Sequence, residues 1–234
     1  MALPIQSAPT YKTVLPSNGQ EVEYRPFLVK EQKVLVMAKE SNDQEQVMQS
    51  IIKMLDACTF GKLKIPNIAM MDMEWLFIKV RSVSVGETSK LVLGCTDEGC
   101  RGNAKVDLNL EDIAPTSEMP EEDTVMLTDD LGVKLKVPSV RDIDGLTKMD
   151  ETQQSMEIVK RCITSVFDAN EVYPMEDVSQ KELDEFFDSL TFNQLDKLGQ
   201  FFDSLPKLRH EVSYSCEICS KENTRVLEGI QSFF

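Results

Sequence analysis

The sequence predicts an α+β fold in which helices pack around a zinc-ribbon-like pair of β-hairpins, preceded by an extended N-terminal arm. Three observations lead there. Apolar residues recur at helical spacing in several stretches. Other short stretches alternate apolar and polar residues, as half-buried strands do. Four of the six cysteines fall in two close pairs, each in a turn between alternating stretches.

The arm is residues 1–20, where Pro4, Pro9 and Pro16 disfavour regular structure and Ser17-Asn18-Gly19 marks a turn. Glu21–Val29 alternates as a strand that Pro26 confines to an edge or a bulge. Val34, Leu35 and Ala38 then fall at helical spacing. Asn42 or Asp43 can cap a second helix, with Val47, Ile51, Met54, Leu55 and Cys58 on one face and Gly61 at its end. Asp72 is positioned to cap a third helix containing Trp75, Leu76, Lys79 and Val80, which Gly86 ends; the β-branched and aromatic content of the stretch leaves a strand as the competing reading. Lys90–Leu93 and Ala104–Leu110 read as strands on either side of the first cysteine pair.

Residues 111–123 are acidic and contain Pro115 and Pro120, which reads as a linker or long loop. Thr124–Leu127 and Val133–Val137 form a hairpin pattern around a polar turn. Met156, Val159, Ile163, Val166 and Phe167 read as one apolar helical stripe. Ser179/Glu182 and Thr191/Gln194 are capping boxes opening two more helices, the second stopped by Pro206. His210–Cys216 and Thr224–Leu227 are strands flanking the second cysteine pair. Such apolar stripes mark core and call for no cofactor.

The chain has 234 residues, 41% of them hydrophobic, enough for one large domain or two small ones. Its net charge of −15 repels nucleic acid and anionic lipid. The N-terminus has no apolar signal core, and no run reaches the roughly 18 apolar residues of a membrane span. The chain is therefore expected to stay where it is made. In a reducing cytosol, close cysteines read as metal ligands before disulfides.

Cys95 and Cys100 lie within Gly94–Gly102, and Cys216 and Cys219 form Cys-Glu-Ile-Cys. Two or four intervening residues let both sulfurs of one tight turn face the same ion, and two such turns complete a tetrahedron around one Zn²⁺ per chain. Four thiolates leave no open coordination position, so the expected role is structural. Disulfides and unligated thiols are the competing readings, and iron also occupies Cys₄ sites. Cys58 and Cys162 sit on apolar faces and read as core. His210 is the sole histidine, so triads and histidine-rich metal sites are unavailable. No phosphate-binding glycine loop or nucleophile elbow occurs, and acidic runs such as Glu121–Asp123 read as solvated surface. No catalytic residue and no small-molecule substrate is expected.

Three stretches are similar to the T4-type phage baseplate proteins, the group of hub subunits and hub-assembly factors of contractile tails. They are Leu15–Glu31 (LPSNGQEVEYRPFLVKE), Met71–Gly86 (MDMEWLFIKVRSVSVG), and Phe201–Cys219 continued by Leu227–Phe234. The resemblance implies a structural or assembly role in the baseplate hub, with other hub or tail proteins as partners. It also implies residence in the host cytoplasm during assembly and, for a hub subunit, in the virion tail baseplate, and it carries no catalytic residues. The arm at 1–20 could add a strand to a partner. The Phe233-Phe234 pair either anchors in a partner or packs on the protein itself. The alternative class is a zinc-ribbon adaptor for nucleic acid or transcription machinery. Lys90, Arg101, Lys105, Arg209, Lys221 and Arg225 near the cysteines keep it open. Because a shared ion joins the middle of the chain to its end, residues 21–234 are expected to form one interlocked domain; a split near the acidic stretch at 111–123 is the alternative, which the shared ion disfavours.

Overall fold

In the computed structural model, which describes residues 7–41 and 43–233, the chain divides into two units. The first comprises the residues up to Ile65, Met71–Ser117 and Lys207 onward. The second comprises Pro66–Met70 and Glu118–Pro206. This differs from the single domain expected over 21–234. The break at 117/118 falls inside the acidic stretch, and a shared ion does not oppose it, because both cysteine pairs belong to the first unit. Among the described residues there are seven α-helices and four small antiparallel sheets, so the class is α+β.

The first unit opens with β1 (Tyr11–Val14) and β2 (Glu21–Tyr24), paired antiparallel around the turn at 16–18. Residues 11–20 are thus a hairpin rather than the free arm expected over 1–20; residues 1–6 lie outside the described residues. The reason is burial. Leu15 is fully buried, and the backbone N–H and hydroxyl of Ser17 both donate to the buried Asp72 carboxylate. Asp72 is therefore an anchor for the hairpin and not the expected N-cap, since its helix begins earlier. A buried carboxylate needs such donors to offset desolvation. Trp75 adds a hydrogen bond from its indole N–H to the Thr13 hydroxyl, 3.0 Å.

Helix α1 (Val29–Glu40) follows at once, beginning where a strand to Val29 was expected. Glu31 folds back to accept from the Leu28 N–H and pairs with Arg25 at 3.0 Å, which fixes the helix entry. Helix α2 (Gln44–Cys58) is capped by Asp43, whose side chain accepts from the Glu45 and Gln46 N–H groups. Its face of Ile51, Met54, Leu55 and Cys58 is buried as the periodicity requires, and Gly61 (φ 66°) donates to the Asp56 carbonyl where the chain turns away. Helix α3 (Met70–Val85) is the central element, with Met73, Leu76, Phe77, Ile78 and Val80 essentially inaccessible. Then come β3 (Thr88–Gly94), β4 (Asn103–Asn109) and the short β5 (Ala114–Pro115). Part of the 111–123 stretch is thus structured.

The second unit contains β6 (Thr124–Met126) and β7 (Gly132–Leu135), the expected hairpin, then α4 (Val140–Ile143) and α5 (Glu151–Cys162). The stripe read as helix through Phe167 stops at Cys162. Ile163–Phe167 is strand β8, paired with β7 on one side and with β9 (Val172–Pro174) on the other. Ile163, Thr164 and Val166 are β-branched and favour the strand. Their spacing alone fitted either element. Helices α6 (Gln180–Asp188) and α7 (Phe192–Ser204) begin at the two capping boxes. Val159, Leu198 and Phe201 pack with Val133, Leu135, Ile163 and Val166 of the β6–β9 sheet. The helices over 150–205 therefore cover this sheet, where they had been expected to surround the ribbon. The chain returns to the first unit as β10 (Leu208–Ser215) and β11 (Glu222–Glu228), with a 3₁₀ turn over Ile230–Phe233. The side chains of the Phe233-Phe234 pair lie outside the described residues.

One half-buried acid in the first unit is expected to make folding sensitive to pH. Glu74 of α3 faces the Glu228 carboxylate of β11 and accepts from the Ile230 N–H. Burial, and then the Glu228 charge, push its pKa from 4.5 up to about 7. The folded chain holds this proton more tightly than the unfolded chain, so the stabilisation is complete below the ordinary value and is lost as pH rises through about 7. Denaturant melts from pH 5 to 8 should show stability falling across this range. Glu74→Gln should flatten that fall; an unchanged slope would show that Glu74 does not cause it.

Candidate metal centre

Two hairpin tips build the site. The β3–β4 ladder ends at the pair Gly94–Asn103, leaving residues 95–102 as its tip, and the β10–β11 ladder ends at Ser215–Glu222, leaving 216–221. In the first tip, Cys95 donates its N–H to the Gly102 carbonyl and Cys100 donates to that of Asp97, each at 2.9 Å. In the second, the Ser220 N–H returns to the Cys216 carbonyl at 3.0 Å, with Ser220 in the left-handed region. These turns point both sulfurs of each pair the same way.

The tips then meet each other. The four Sγ atoms of Cys95, Cys100, Cys216 and Cys219 all lie within 4.8 Å of one another. The cross-tip pairs Cys95–Cys219 and Cys100–Cys216 are both 3.7 Å apart. A disulfide would need about 2.05 Å, and all four thiols are free. Sulfurs bound at about 2.3 Å to a tetrahedral ion stand about 3.8 Å apart. The donor set therefore fits a Zn²⁺-type ion, and the cluster could hold a metal. Backbone N–H groups point at the sulfurs, from Asp97 to Cys95 at 3.5 Å and from Gly102 to Cys100 at 3.3 Å. Hydrogen bonds from the Cys219 and Ile218 N–H groups hold the Cys216 thiol down to about 7.

Three residues not singled out in the sequence lock the tips together. Asn223 is almost inaccessible; its side-chain oxygen accepts from the Thr96 N–H (2.9 Å) and hydroxyl (2.6 Å), while its amide donates to the Lys221 carbonyl (2.7 Å). One side chain thus ties the second hairpin to the first. Tyr214 donates its hydroxyl to the Gly94 carbonyl at 2.6 Å. The third is Glu217, whose N–H donates to the Asn103 carbonyl at 3.0 Å. No local pattern marks such residues, because their partners lie more than a hundred positions away.

Cys58 and Cys162 are fully buried, as expected of core cysteines, and burial pushes their thiols up to about 11 and about 12. His210 sits opposite Leu227 in the β10–β11 ladder and is not part of the sulfur cluster. Of the six basic residues near the cysteines, Arg209 pairs with Glu228 at 2.6 Å and Lys221 with Asp97 at 3.5 Å. Both charges are thereby compensated locally.

The family model described as T4 bacteriophage base plate protein matches residues 8–234, so both units and the sulfur cluster fall within it. The chain belongs to this family. Its role is structural or in assembly, in the phage baseplate. Among curated proteins it is similar to the "Baseplate hub assembly protein gp26" of Enterobacteria phage T4. The two are 24% identical over 225 residues, 96% of this chain and 97% of the relative. No solved structure matches the chain significantly. No helix among the described residues is long and apolar enough to cross a membrane.

The packing at Gly102 of this baseplate protein is tight enough to test. A Cβ there would lie 2.4 Å from Cys216 Sγ and 3.1 Å from both Cys100 Sγ and Ile218 Cβ, whereas at Gly94 it would meet nothing within 4 Å. Gly102→Ala should cost about 1–3 kcal/mol in a denaturant melt, as overpacking does. Gly94→Ala should stay within about 0.5 kcal/mol. Equal effects would contradict the close approach of the two tips.

Proposed function

We propose that this protein serves the phage baseplate hub, as a structural or assembly component, through protein–protein contacts and without catalysis. The likeness to a hub assembly protein, over nearly the full length of both chains, carries the reading. It acts where baseplates are put together, in the cytoplasm of the infected host, and its partners are other hub or tail proteins. A strongly acidic surface suits protein partners better than nucleic acid. Depleting the protein during infection should leave baseplates without a complete central hub in electron micrographs. Normal hubs and tails in its absence would sink the proposal.

Cys95, Cys100, Cys216 and Cys219 hold one Zn²⁺ per chain in this reading. When bound, the ion supplies a closed tetrahedral cross-link and no reactive position. The residues themselves do the rest: Asn223 and Tyr214 align the hairpins, and the Asp97 and Gly102 N–H groups stabilise sulfur charge. The cross-link from Cys100 to Cys216 closes a loop spanning 116 positions. By analogy with disulfides, closing a loop of that size is worth about 4–5 kcal/mol. Elemental analysis should find one zinc per chain, and a strong chelator should lower the melting temperature markedly. A metal-free protein of unchanged stability would refute the zinc assignment.

A further inference from the structure

Two free strand edges flank one groove in the first unit. Strand β3 pairs only with β4, and β11 only with β10, so each leaves its other edge open. The groove between them has a volume of about 470 Å³ and is lined by residues 90–93 of β3, 225–228 of β11, and Ser232. A strand that met a groove with one face would contribute alternate residues. Four consecutive residues from each strand mean that the edges themselves border it.

The ladders fix which backbone groups point there. In an antiparallel pair, alternate residues exchange hydrogen bonds with the partner strand, and those between point away. The Leu110 N–H donates to the Glu87 carbonyl, and the Cys95 N–H to that of Gly102. Residues 87, 89, 91, 93 and 95 therefore face β4, and the N–H and carbonyl groups of Lys90 and Val92 point outward from β3. By the same reasoning from the Cys216–Lys221 bond, Val226 and Glu228 point outward from β11. The Glu228 carbonyl already accepts from the Ser232 hydroxyl at 2.7 Å. The Lys90 and Val92 groups have no backbone partner among the described residues.

Side chains decide what fits. Val92 and Val226 are 64% and 50% exposed, and such β-branched residues suit another strand beside them. Lys90 shares a face of β3 with Val92, and Arg225 shares a face of β11 with Leu227. Neither cation forms an ion pair among the described residues. Asp107 stands opposite Lys90 on β4, with Lys105 beside it on the same face, and Glu211 stands opposite Val226 on β10. Glu228, the acid lining the groove, is compensated by Arg209 at 2.6 Å. The groove thus presents two unpaired cations on a chain whose net charge is −15.

We propose that an acidic, extended segment of a partner protein docks here, adding as a strand to the free edge of β3. Its backbone pairs with the outward groups of Lys90 and Val92. Its apolar side chains cover Val92 and Val226, and its carboxylates meet Lys90 and Arg225. The two cations favour acidic sequences and repel basic ones. Contact through so few outward groups is small, so the binding is weak. This surface gives the protein–protein role proposed above a location and rests on that reading only for its setting in the baseplate. Its test needs the purified chain alone, so either reading can fail without the other.

Amide NMR shifts of the full chain, titrated to about 2 mM with a synthetic peptide repeating Val-Val-Glu-Glu, test this in the range of weak affinities. The repeat places acid beside apolar residue along both faces of a strand. Shifts at Lys90 and Val92 should saturate. A Val-Val-Lys-Lys peptide should bind at least about tenfold more weakly, and Lys90→Glu or Arg225→Glu should weaken binding of the acidic peptide by about as much. Val92→Pro should abolish it; that N–H points away from β4, so no ladder bond is lost, and melting curves check the fold. An N-methylated acidic peptide, which leaves the protein untouched, should also fail to bind. Absent shifts at Lys90 and Val92, equal binding of the acidic and basic peptides, or full binding of the N-methylated peptide would overturn the proposal. So would self-association through this edge, seen as a sedimentation coefficient that climbs with concentration until Val92→Pro stops the climb.

Discussion

The convergence of four sulfurs from two distant hairpins is the constraint on which much of this structure depends. Cys95 and Cys100 lie 116 or more positions before Cys216 and Cys219, yet all four Sγ atoms fall within 4.8 Å. Holding two turns that close requires each ladder to end at the right residue. A one-residue slip would turn alternate side chains to the wrong face of the hairpin. Register therefore propagates from the sulfur cluster back along β3–β4 and β10–β11. Val212 and Tyr214 are accordingly buried while their neighbours along β10 face outward.

That constraint also explains how a second unit fits in the middle of the chain. Everything from Glu118 to Pro206 lies between the two cysteine pairs. The exit and re-entry points of the first unit are neighbours: β5 pairs with the start of β10, the Thr116 N–H donates to the Lys207 carbonyl at 3.0 Å, and the Lys207 N–H donates to the Thr116 hydroxyl at 3.1 Å. A large excursion between two joined points costs little more loop entropy than a modest one, because closure entropy grows only logarithmically with length. The insertion has its own core, in which the β6–β9 sheet packs against α5 and α7. It therefore need not borrow apolar cover from the ribbon unit.

Buried polar side chains set the remaining junctions. Asp72 holds the first hairpin through Ser17, Glu31 holds the start of α1 through Arg25 and Leu28, and Asn223 joins the two tips through Thr96. Each is nearly inaccessible and each is satisfied by specific donors. Burying such groups costs free energy unless the partners are present, so each favours one arrangement of its neighbours over alternatives.

What the sequence determined by itself was local. The face of α2 on Ile51, Met54, Leu55 and Cys58, the capping boxes at Ser179 and Thr191, the hairpin at 124–135 and the pairing of cysteines within each turn all follow from interactions a few residues apart. The four cysteines of the candidate site were legible for the same reason, since their spacing within each turn is the chemical signal. Only tertiary structure decided the rest. Ile163–Phe167 became a strand because β7 and β9 lie on either side to accept it, although its spacing suits a helix equally. Residues 11–20 became part of a hairpin because Leu15 is fully buried there and α3 offers Ser17 a buried acid. The chain became two units because its apolar faces found separate partners. The β7 partner of Ile163–Phe167 and the Asp72 acceptor of Ser17 both lie tens of residues away, and the spacing of apolar residues carries no information about either.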